Sequence, residues 1–185
     1  MSFSLIEADS QHIDSIMEIE KDCFIPQIQE RREVFLDRIK AGKGKETFLL
    51  FIDDETGRPS GYICGEYMKQ IPLRPEEIAL NHTPVHLEKA FENGRDFEST
   101  YPVFYISSFG ILGQYRGKGN GSRLWKQSLK HFEKLPGVKK LILLVNENWS
   151  GARHIYQSTG FSVTATFDQF FPDGNGILME KNIAL

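Results

Sequence analysis

Residues 103–122, VFYISSFGILGQYRGKGNGS, are the stretch around which we expect this chain of 185 residues to fold. The first half is an apolar run rich in aromatic and branched residues, a pattern that predicts a buried strand. The second half is a basic turn rich in glycine, and Trp125, Leu129 and Phe132 then recur at helical spacing. The stretch therefore predicts a strand that leads through a glycine turn into a helix.

The glycine turn predicts an anion site at the start of that helix. The first main-chain amides of a helix have no partners inside it, and the helix dipole favours negative charge there. A phosphate is the anion most often bound in this way. Gly117, Gly119 and Gly121 leave room for a ligand beside the backbone, and Arg116 and Lys118 add positive charge. A simple tight turn is the alternative interpretation of these glycines.

The spacing of the glycines excludes two common phosphate-binding motifs. The turn lacks the G-x-x-x-x-G-K-[ST] spacing of a Walker loop. Gly117, Gly119 and Gly121 give G-x-G-x-G, whereas a dinucleotide-binding fold needs G-x-G-x-x-G. Read with Arg116, the turn fits R-x-x-G-x-G, which resembles the acetyl-coenzyme A loop of the GNAT superfamily of N-acetyltransferases.

Two further segments strengthen this resemblance. Residues 152–161, ARHIYQSTGF, are similar to the GNAT pattern A-x-x-x-Y-x-x-x-G-F and follow the glycine turn in the expected order. Nearer the N-terminus, Glu18-Ile-Glu20 followed by Cys23-Phe24 resembles the first helix of arylalkylamine and ribosomal-protein N-acetyltransferases.

The resemblance implies one α/β domain over residues 1–185 with the GNAT fold. That fold is a mixed, mostly antiparallel sheet of about seven strands with a splayed parallel central pair, flanked by about four helices. We predict that residues 103–111 and 138–145 form the parallel pair, because the order strand, helix, strand implies a right-handed crossover. Residues 69–102 form a long insert, which we expect to be a lid or loop on the acceptor side.

Sequence patterns predict the other elements as follows. Alternation and apolar runs predict strands at 2–8, 47–52, 60–68, 161–167 and 177–183, with a turn at 172–176. Helical spacing predicts helices after Asp9, at 30–40, at 85–91 within the insert, and at 150–159. Gly61 and Gly65 weaken the third strand and suggest a bulge there.

The resemblance also implies acetyl-CoA as the cofactor. Its pantetheine arm would fill the gap between the splayed strands beside a bulge near Phe109 and Gly110, and would bond the backbone of Phe109 and Ile111. The pyrophosphate would lie beside Arg116 and bind the main-chain amides of the turn: Gly117, Lys118, Gly119, Asn120, Gly121 and Ser122. Trp149 stands where family members usually have an asparagine, so Asn148 or Asn146 is expected to contact the cofactor instead.

The implied reaction is direct transfer of an acetyl group to a primary amine in a ternary complex. Tyr156 would protonate the leaving thiolate, core packing being its alternative role, and an amide near Phe109 would act as an oxyanion donor. The amine must be uncharged to react, so a general base or a water relay is expected. Glu66 ranks first as that base. We interpret Glu20, on the apolar face of the first helix, as an edge residue that reaches solvent.

Two further residues are candidates for the site. Tyr105 and Ser107 occupy the strand positions where arylalkylamine enzymes carry two histidines, and both could hold waters. The acceptor itself is left open between a small-molecule amine and a protein N-terminal or lysine amine. A non-catalytic acyl-CoA sensor with the same fold is the alternative function.

Composition limits the other partners that we expect. The net charge of -3 argues against general nucleic-acid binding, and no apolar run is long enough to indicate a membrane span. Cys23 and Cys64 are interpreted as reduced core residues of a cytoplasmic protein. His82 and His86 stand four apart without a third ligand, so no metal is predicted. The oligomeric state is left open.

Overall fold

A computed structural model describes residues 2–78 and 101–183, and within them the chain forms one seven-stranded sheet flanked by four α-helices. The strands are β1 (Phe3–Glu7), β2 (Phe48–Asp53), β3 (Arg58–Met68), β4 (Val103–Ile111), β5 (Lys140–Asn146), β6 (Ser162–Phe171) and β7 (Gly174–Asn182). The helices are α1 (Ile13–Cys23), α2 (Arg32–Gly42), α3 (Asn120–Phe132) and α4 (Ser150–Ser158). No helix among these residues is long and apolar enough to cross a membrane.

The strand order confirms the predicted mixed α/β sheet. It is β1-β2-β3-β4-β5-β7-β6, and every neighbouring pair is antiparallel except β4 and β5. These two central strands pair only from Val103 opposite Lys140 to Ile106 opposite Leu143. Because both strands continue beyond that point, a gap opens between them. The predicted splayed parallel pair is therefore confirmed.

The bulge in β4 lies earlier than we expected. The pairing of β3 with β4 is regular at Phe109 and Gly110, so the prediction of a bulge at these residues is wrong. The register shifts instead between Cys64 and Gly65, which leaves Ser107 as the extra residue of β4. A Cβ at Gly65 would lie 2.5 Å from the Tyr105 carbonyl oxygen, so only glycine permits this close approach. The bulge suggested by the glycines of β3 is confirmed.

The helices cover both faces of the sheet. Ile19 of α1 and Phe35 of α2 pack with Tyr62 of β3 in one apolar cluster. Trp125 of α3 packs with Ile63, the next residue of β3, in another cluster. Successive strand residues point to opposite faces, so α1 and α2 lie across the sheet from α3. The apolar face predicted for α3 is confirmed as buried: Trp125, Leu129 and Phe132.

Several predicted boundaries differ from the structure, and two of the differences have a clear physical reason. Helix α2 begins at Arg32 rather than at residue 30, because the backbone of Arg31, the N-cap residue, is extended with φ of −76° and ψ of 150°. The predicted turn at 172–176 is too long, because Gly176 pairs with both Asn146 and Phe167 and so belongs to β7. The helix predicted at 85–91 and most of the insert lie outside the described residues.

Candidate active site

A cleft of about 1110 Å³ lies where β4 and β5 separate. It brings together most of the side chains and backbone positions that the sequence singled out. These are Tyr105, Ser107, Phe109, Gly110, Ile111, Arg116, Gly121 and Tyr156. The lining does not include Glu66, Asn148 or the remaining positions of the glycine turn: Gly117, Lys118, Gly119, Asn120 and Ser122.

The glycine turn leaves the start of α3 open. Gly117 and Gly119 both have φ of 76°, a backbone conformation that favours glycine. Gly119 is the N-cap residue, and no side chain caps the helix. A Cβ on Gly121, in the first turn, would meet only the Cδ1 of Ile111, at 3.7 Å. The first amides of α3 are thus free of side-chain caps, as a bound phosphate requires.

The side chain of Asn120 has a structural role. It is buried, and its Nδ2 donates to the carbonyl oxygen of Tyr115 at 3.0 Å. This hydrogen bond links the first residue of α3 to the residue before Arg116 and so stabilises the glycine turn. Only the main-chain amide of Asn120 is therefore left for a ligand.

Arg116 fastens the glycine turn to the end of α1. Its Nε donates to the Ile111 carbonyl oxygen at 2.7 Å, and its Nη2 lies 3.0 Å from Asp22 Oδ2. The same nitrogen lies 3.1 Å from the Sγ of Cys23. Cys64 is buried as predicted, but Cys23 is only half-buried and lines the cleft, so its assignment to the core is wrong. Burial raises the pKa of the Cys23 thiol.

Tyr156 reaches the cleft from α4. Its ring packs against Trp125, with 4.5 Å between the ring centroids, and against Phe161 at 6.4 Å. Burial raises the pKa of its hydroxyl above the usual range for tyrosine, so the hydroxyl keeps its proton at neutral pH. A protonated hydroxyl at this position can donate a hydrogen bond to an anion formed in the cleft.

The position of Glu20 differs from the one that we expected from the sequence. It lines the cleft and is 1% exposed, so it is not an edge residue that reaches solvent. The Tyr62 hydroxyl donates to Oε2 of Glu20, and the main-chain N–H of Glu30 donates to Oε1 at 2.8 Å. Tyr62 Oη also lies 2.7 Å from Ser108 Oγ. Burial raises the pKa of Glu20 to about 7, and the hydrogen bond from Tyr62 limits the rise.

Glu66 lies beside the cleft without lining it. It is opposite Tyr105 in the pairing of β3 with β4, and its Oε1 is 4.0 Å from Nη2 of Arg38. Burial raises the pKa of Glu66 to about 7, and the charge of Arg38 limits the rise. Among the residues that the structure describes, two carboxyl groups thus have raised pKa values, and of these two only Glu20 lines the cleft.

Tyr105 and Ser107 both line the cleft from β4. Burial raises the pKa of the Tyr105 hydroxyl, which is therefore not a base at neutral pH. Ser107 Oγ donates to the Cys64 carbonyl oxygen at 3.3 Å. As the bulged residue of β4, Ser107 is held by β3 rather than by β5.

The structure does not bring Asn146 or Asn148 into the cleft. The Nδ2 of Asn146 donates to Asp173 Oδ1 at 2.6 Å, and the Nδ2 of Asn148 donates to the Asp173 carbonyl oxygen at 2.7 Å. Both side chains thus hold the turn between β6 and β7. Trp149 lines the cleft in their place.

An aromatic row around Trp149 was missed by the sequence reasoning. The Trp149 ring lies 6.0 Å from Phe24, at the end of α1, and 5.3 Å from Phe171, at the end of β6. All three rings line the cleft, so the row crosses it between α1 and the β6–β7 hairpin. The only signal in the sequence is the tryptophan at the position where an asparagine was expected.

Comparison with known proteins agrees with this geometry. The model of the acetyltransferase (GNAT) family matches residues 13–161. A search of curated protein sequences finds no match. Among solved structures, the ribosomal-protein-S18-alanine N-acetyltransferase from Escherichia coli is similar, with a TM-score of 0.68 and 14% identity over 100% of this chain and 96% of that chain.

Several similar structures contain a coenzyme A compound. Arabidopsis thaliana Naa50, solved with the bisubstrate analogue CoA-Ac-MVNAL, has a TM-score of 0.66 and 20% identity over 98% of this chain and 99% of that chain. The protein yncA from Salmonella typhimurium, solved with its cofactor acetyl-CoA, has a TM-score of 0.64 and 15% identity over 100% of this chain and 96% of that chain. At these identities the likeness shows a shared fold.

Proposed function

We propose, from the premise that the chain belongs to the acetyltransferase (GNAT) family, that it is an acetyl-CoA-dependent N-acetyltransferase acting on a primary amine. Transfer is direct, within a ternary complex of enzyme, acetyl-CoA and amine. The observation that carries this proposal is one cleft that joins the gap between β4 and β5, the start of α3 and the side chains of Tyr156 and Glu20.

The residues of the cleft fit acetyl-CoA in two respects. Beyond Ile106 and Leu143 the facing edges of β4 and β5 no longer pair, so a chain of amides such as pantetheine would find main-chain partners there. The uncapped amides at 120–122 suit the pyrophosphate. When bound, acetyl-CoA supplies the acetyl group as an activated thioester.

Tyr156 supplies the proton that the leaving thiolate takes up at the end of the reaction. Breaking the bond between carbon and sulfur leaves a thiolate, which is stabilised when a nearby acid protonates it. The hydroxyl of Tyr156 is protonated at neutral pH and so carries a proton for this role. The ring contact with Trp125 holds the tyrosine in place without using the hydroxyl.

Glu20 is the carboxylate placed to receive the proton of the amine. An alkyl ammonium ion must lose a proton before its nitrogen attacks. With a pKa of about 7, Glu20 is ionised in a large share of molecules at neutral pH and is still basic enough to accept that proton. Its hydrogen-bond chain through Tyr62 leads to Ser108 on β4, beside the bulge. Glu66, our first choice from sequence, does not line the cleft.

The acceptor is a small-molecule amine or a protein amine. The test incubates the protein with acetyl-CoA and a panel of aromatic amines, alkyl amines and short peptides with a free N-terminus or lysine. Release of free thiol and the mass of the acetylated amine are followed together, and calorimetry measures acetyl-CoA binding. Acetylated product supports the proposal, binding without any product supports the acyl-CoA sensor, and absence of binding overturns both.

A further inference from the structure

Arg38 is a charged side chain inside the protein. It lies on the buried face of α2 with Phe35 and Ile39, and it is 4% exposed. An arginine in such a place is costly unless acidic groups compensate its charge. The proposed reaction does not use it directly, so its position calls for another explanation.

The contacts of Arg38 lead to the proposed base through one residue. Its Nη2 lies 3.5 Å from Glu30 Oε1 and 4.0 Å from Glu66 Oε1. Glu30 lies in the connection between α1 and α2 and lines the cleft. The main-chain N–H of this same Glu30 donates to Glu20 Oε1 at 2.8 Å. The side chain and the main chain of Glu30 thus join Arg38 to Glu20.

We propose that Arg38 is a positioning residue for the transfer reaction. By holding the side chain of Glu30, it fixes the main-chain N–H that binds Glu20, and its positive charge stabilises the ionised carboxylate. The inference rests on the proposed function only for the role of Glu20 as the base. The placement and the electrostatics are properties of the folded chain and are testable without turnover.

The electrostatic part follows from the groups that surround Glu20 and Arg38 in the described residues. The titratable and charged groups of this cluster lie on the α1–α2 connection, α2, β3 and β4. Besides Glu20 they are Glu30, Arg38, Tyr62, Cys64, Glu66 and Tyr105. Burial and the charge of Glu30 raise the pKa of Glu20, whereas Arg38 lowers it. Removing the charge of Arg38 therefore moves more of Glu20 into its protonated form at neutral pH, where it is no longer a base.

The test measures the titration of Glu20 directly. Protein carrying ¹³C-labelled glutamate is titrated by NMR, with the Glu20 signal assigned by its loss in Glu20→Gln. We expect Arg38→Met to move the Glu20 midpoint measurably upward, because the variant removes an opposite charge from the cluster around Glu20. Arg38→Lys, which keeps the charge, is expected to restore the wild-type midpoint. A folded Arg38→Met protein with an unchanged midpoint overturns the proposal.

Arg32 on the same helix provides the matched control. It pairs with Asp14 on the surface, where their side chains are 45% and 84% exposed. Because solvent screens that pair, Arg32→Gln is expected to leave the Glu20 midpoint unchanged. An equal upward movement in Arg32→Gln overturns the proposal, because it would show that any cation of α2 has the same effect.

Hydrogen exchange tests the positioning part separately. The amide of Glu30 is expected to exchange faster in Arg38→Met than in wild type, and at the wild-type rate in Arg38→Lys and Arg32→Gln. Unchanged protection of this amide in Arg38→Met overturns the positioning role.

A measurement on the wild-type protein covers the case in which Arg38→Met does not fold. The side-chain ¹⁵N signals of Arg38 and the amide signal of Glu30 are expected to change with pH at the same midpoint as the Glu20 carboxyl. Signals that do not follow that midpoint overturn the proposal. Once an acceptor is known, the acidic limb of the rate profile is expected to move upward in Arg38→Met alone. The NMR measurements need no acceptor, so they test the role of Arg38 even if the protein turns out not to be an acetyltransferase. The enzymatic assay tests the proposed function separately.

Discussion

The ring of Tyr156 lies against the indole of Trp125, with 4.5 Å between their centroids, and this contact holds the tyrosine in the wall of the cleft. Trp125 is itself fixed, because its Nε1 donates to Thr159 Oγ1 at 2.9 Å. The orientation of Tyr156 thus comes from packing between α3 and α4. These contacts do not involve its hydroxyl.

Tyr156→Phe is expected to lower kcat by roughly a hundredfold or more, the usual effect of losing a general acid. Acetyl-CoA affinity and stability should hardly change, because the ring contacts remain and no proton is needed before the reaction. Stopped-flow measurement of the transfer step, together with calorimetry of binding, checks this. An unaffected transfer step would show that Tyr156 is a packing residue.

Tyr115→Phe is the matched control for the loss of a tyrosine hydroxyl. The Tyr115 hydroxyl donates to Asp53 Oδ2 at 2.8 Å, and Tyr115 does not line the cleft. This variant is expected to lower the melting temperature and to leave kcat near the wild-type value.

Gly121→Val is expected to fold and to weaken acetyl-CoA binding roughly tenfold or more, equivalent to about 1.4 kcal/mol. A Cβ at this position meets only Ile111, at 3.7 Å, so the fold tolerates it. The added side chain stands beside the open amides of α3 and blocks a phosphate. Calorimetry measures the loss, and wild-type affinity would show that the turn does not hold the cofactor.

Gly151→Val is the control for Gly121→Val. Gly151 is the second residue of α4, as Gly121 is the second residue of α3. A Cβ on Gly151 has no atom within 4 Å, and Gly151 does not line the cleft. Equal loss of affinity in both variants would point to a general effect of valine at a helix start.

The rate of transfer is expected to rise with pH through the pKa of Glu20, about 7. Only the ionised carboxylate accepts a proton, so activity is lost on the acid side of that value. Glu20→Gln should lower kcat by roughly a hundredfold or more and remove this limb of the profile. Glu18→Gln, an exposed change on the same helix, should leave the profile unchanged. A limb that persists in Glu20→Gln would assign the base elsewhere.

Glu66→Gln is expected to stabilise the protein above neutral pH and to give little gain in acid. The pKa of Glu66 in the folded protein, about 7, is higher than the ordinary glutamate value of 4.5, so the folded state binds the proton more tightly. The stability that this proton confers is present below about pH 4.5 and is lost as the pH rises through about 7. Glutamine removes that loss. Urea denaturation of both proteins near pH 5 and near pH 8 measures the difference, and a gain independent of pH would contradict the expectation.

Local sequence patterns were enough to predict the central strand, the glycine turn and the helix that follows it. The strand, glycine turn and helix of residues 103–132 follow from apolar periodicity and from glycine spacing, and both are properties of neighbouring residues. The parallel pairing of β4 and β5 was predicted from the order strand, helix, strand, whereas their splay was implied by the resemblance to the GNAT family. The strand, turn and helix were predictable because each depends on residues that are close in sequence, whereas the splay of the parallel pair needed the family resemblance.

Only the tertiary structure decided which polar groups face the cleft. Glu20 is held inside by the hydroxyl of Tyr62, which is 42 residues away in sequence, whereas Glu66 is directed to Arg38. Asn148 is bonded to Asp173 across the β6–β7 turn and is replaced at the cleft by Trp149. The charge and role of a carboxyl or amide group depend on its burial and its partners, and both are set by segments that meet only when the chain folds.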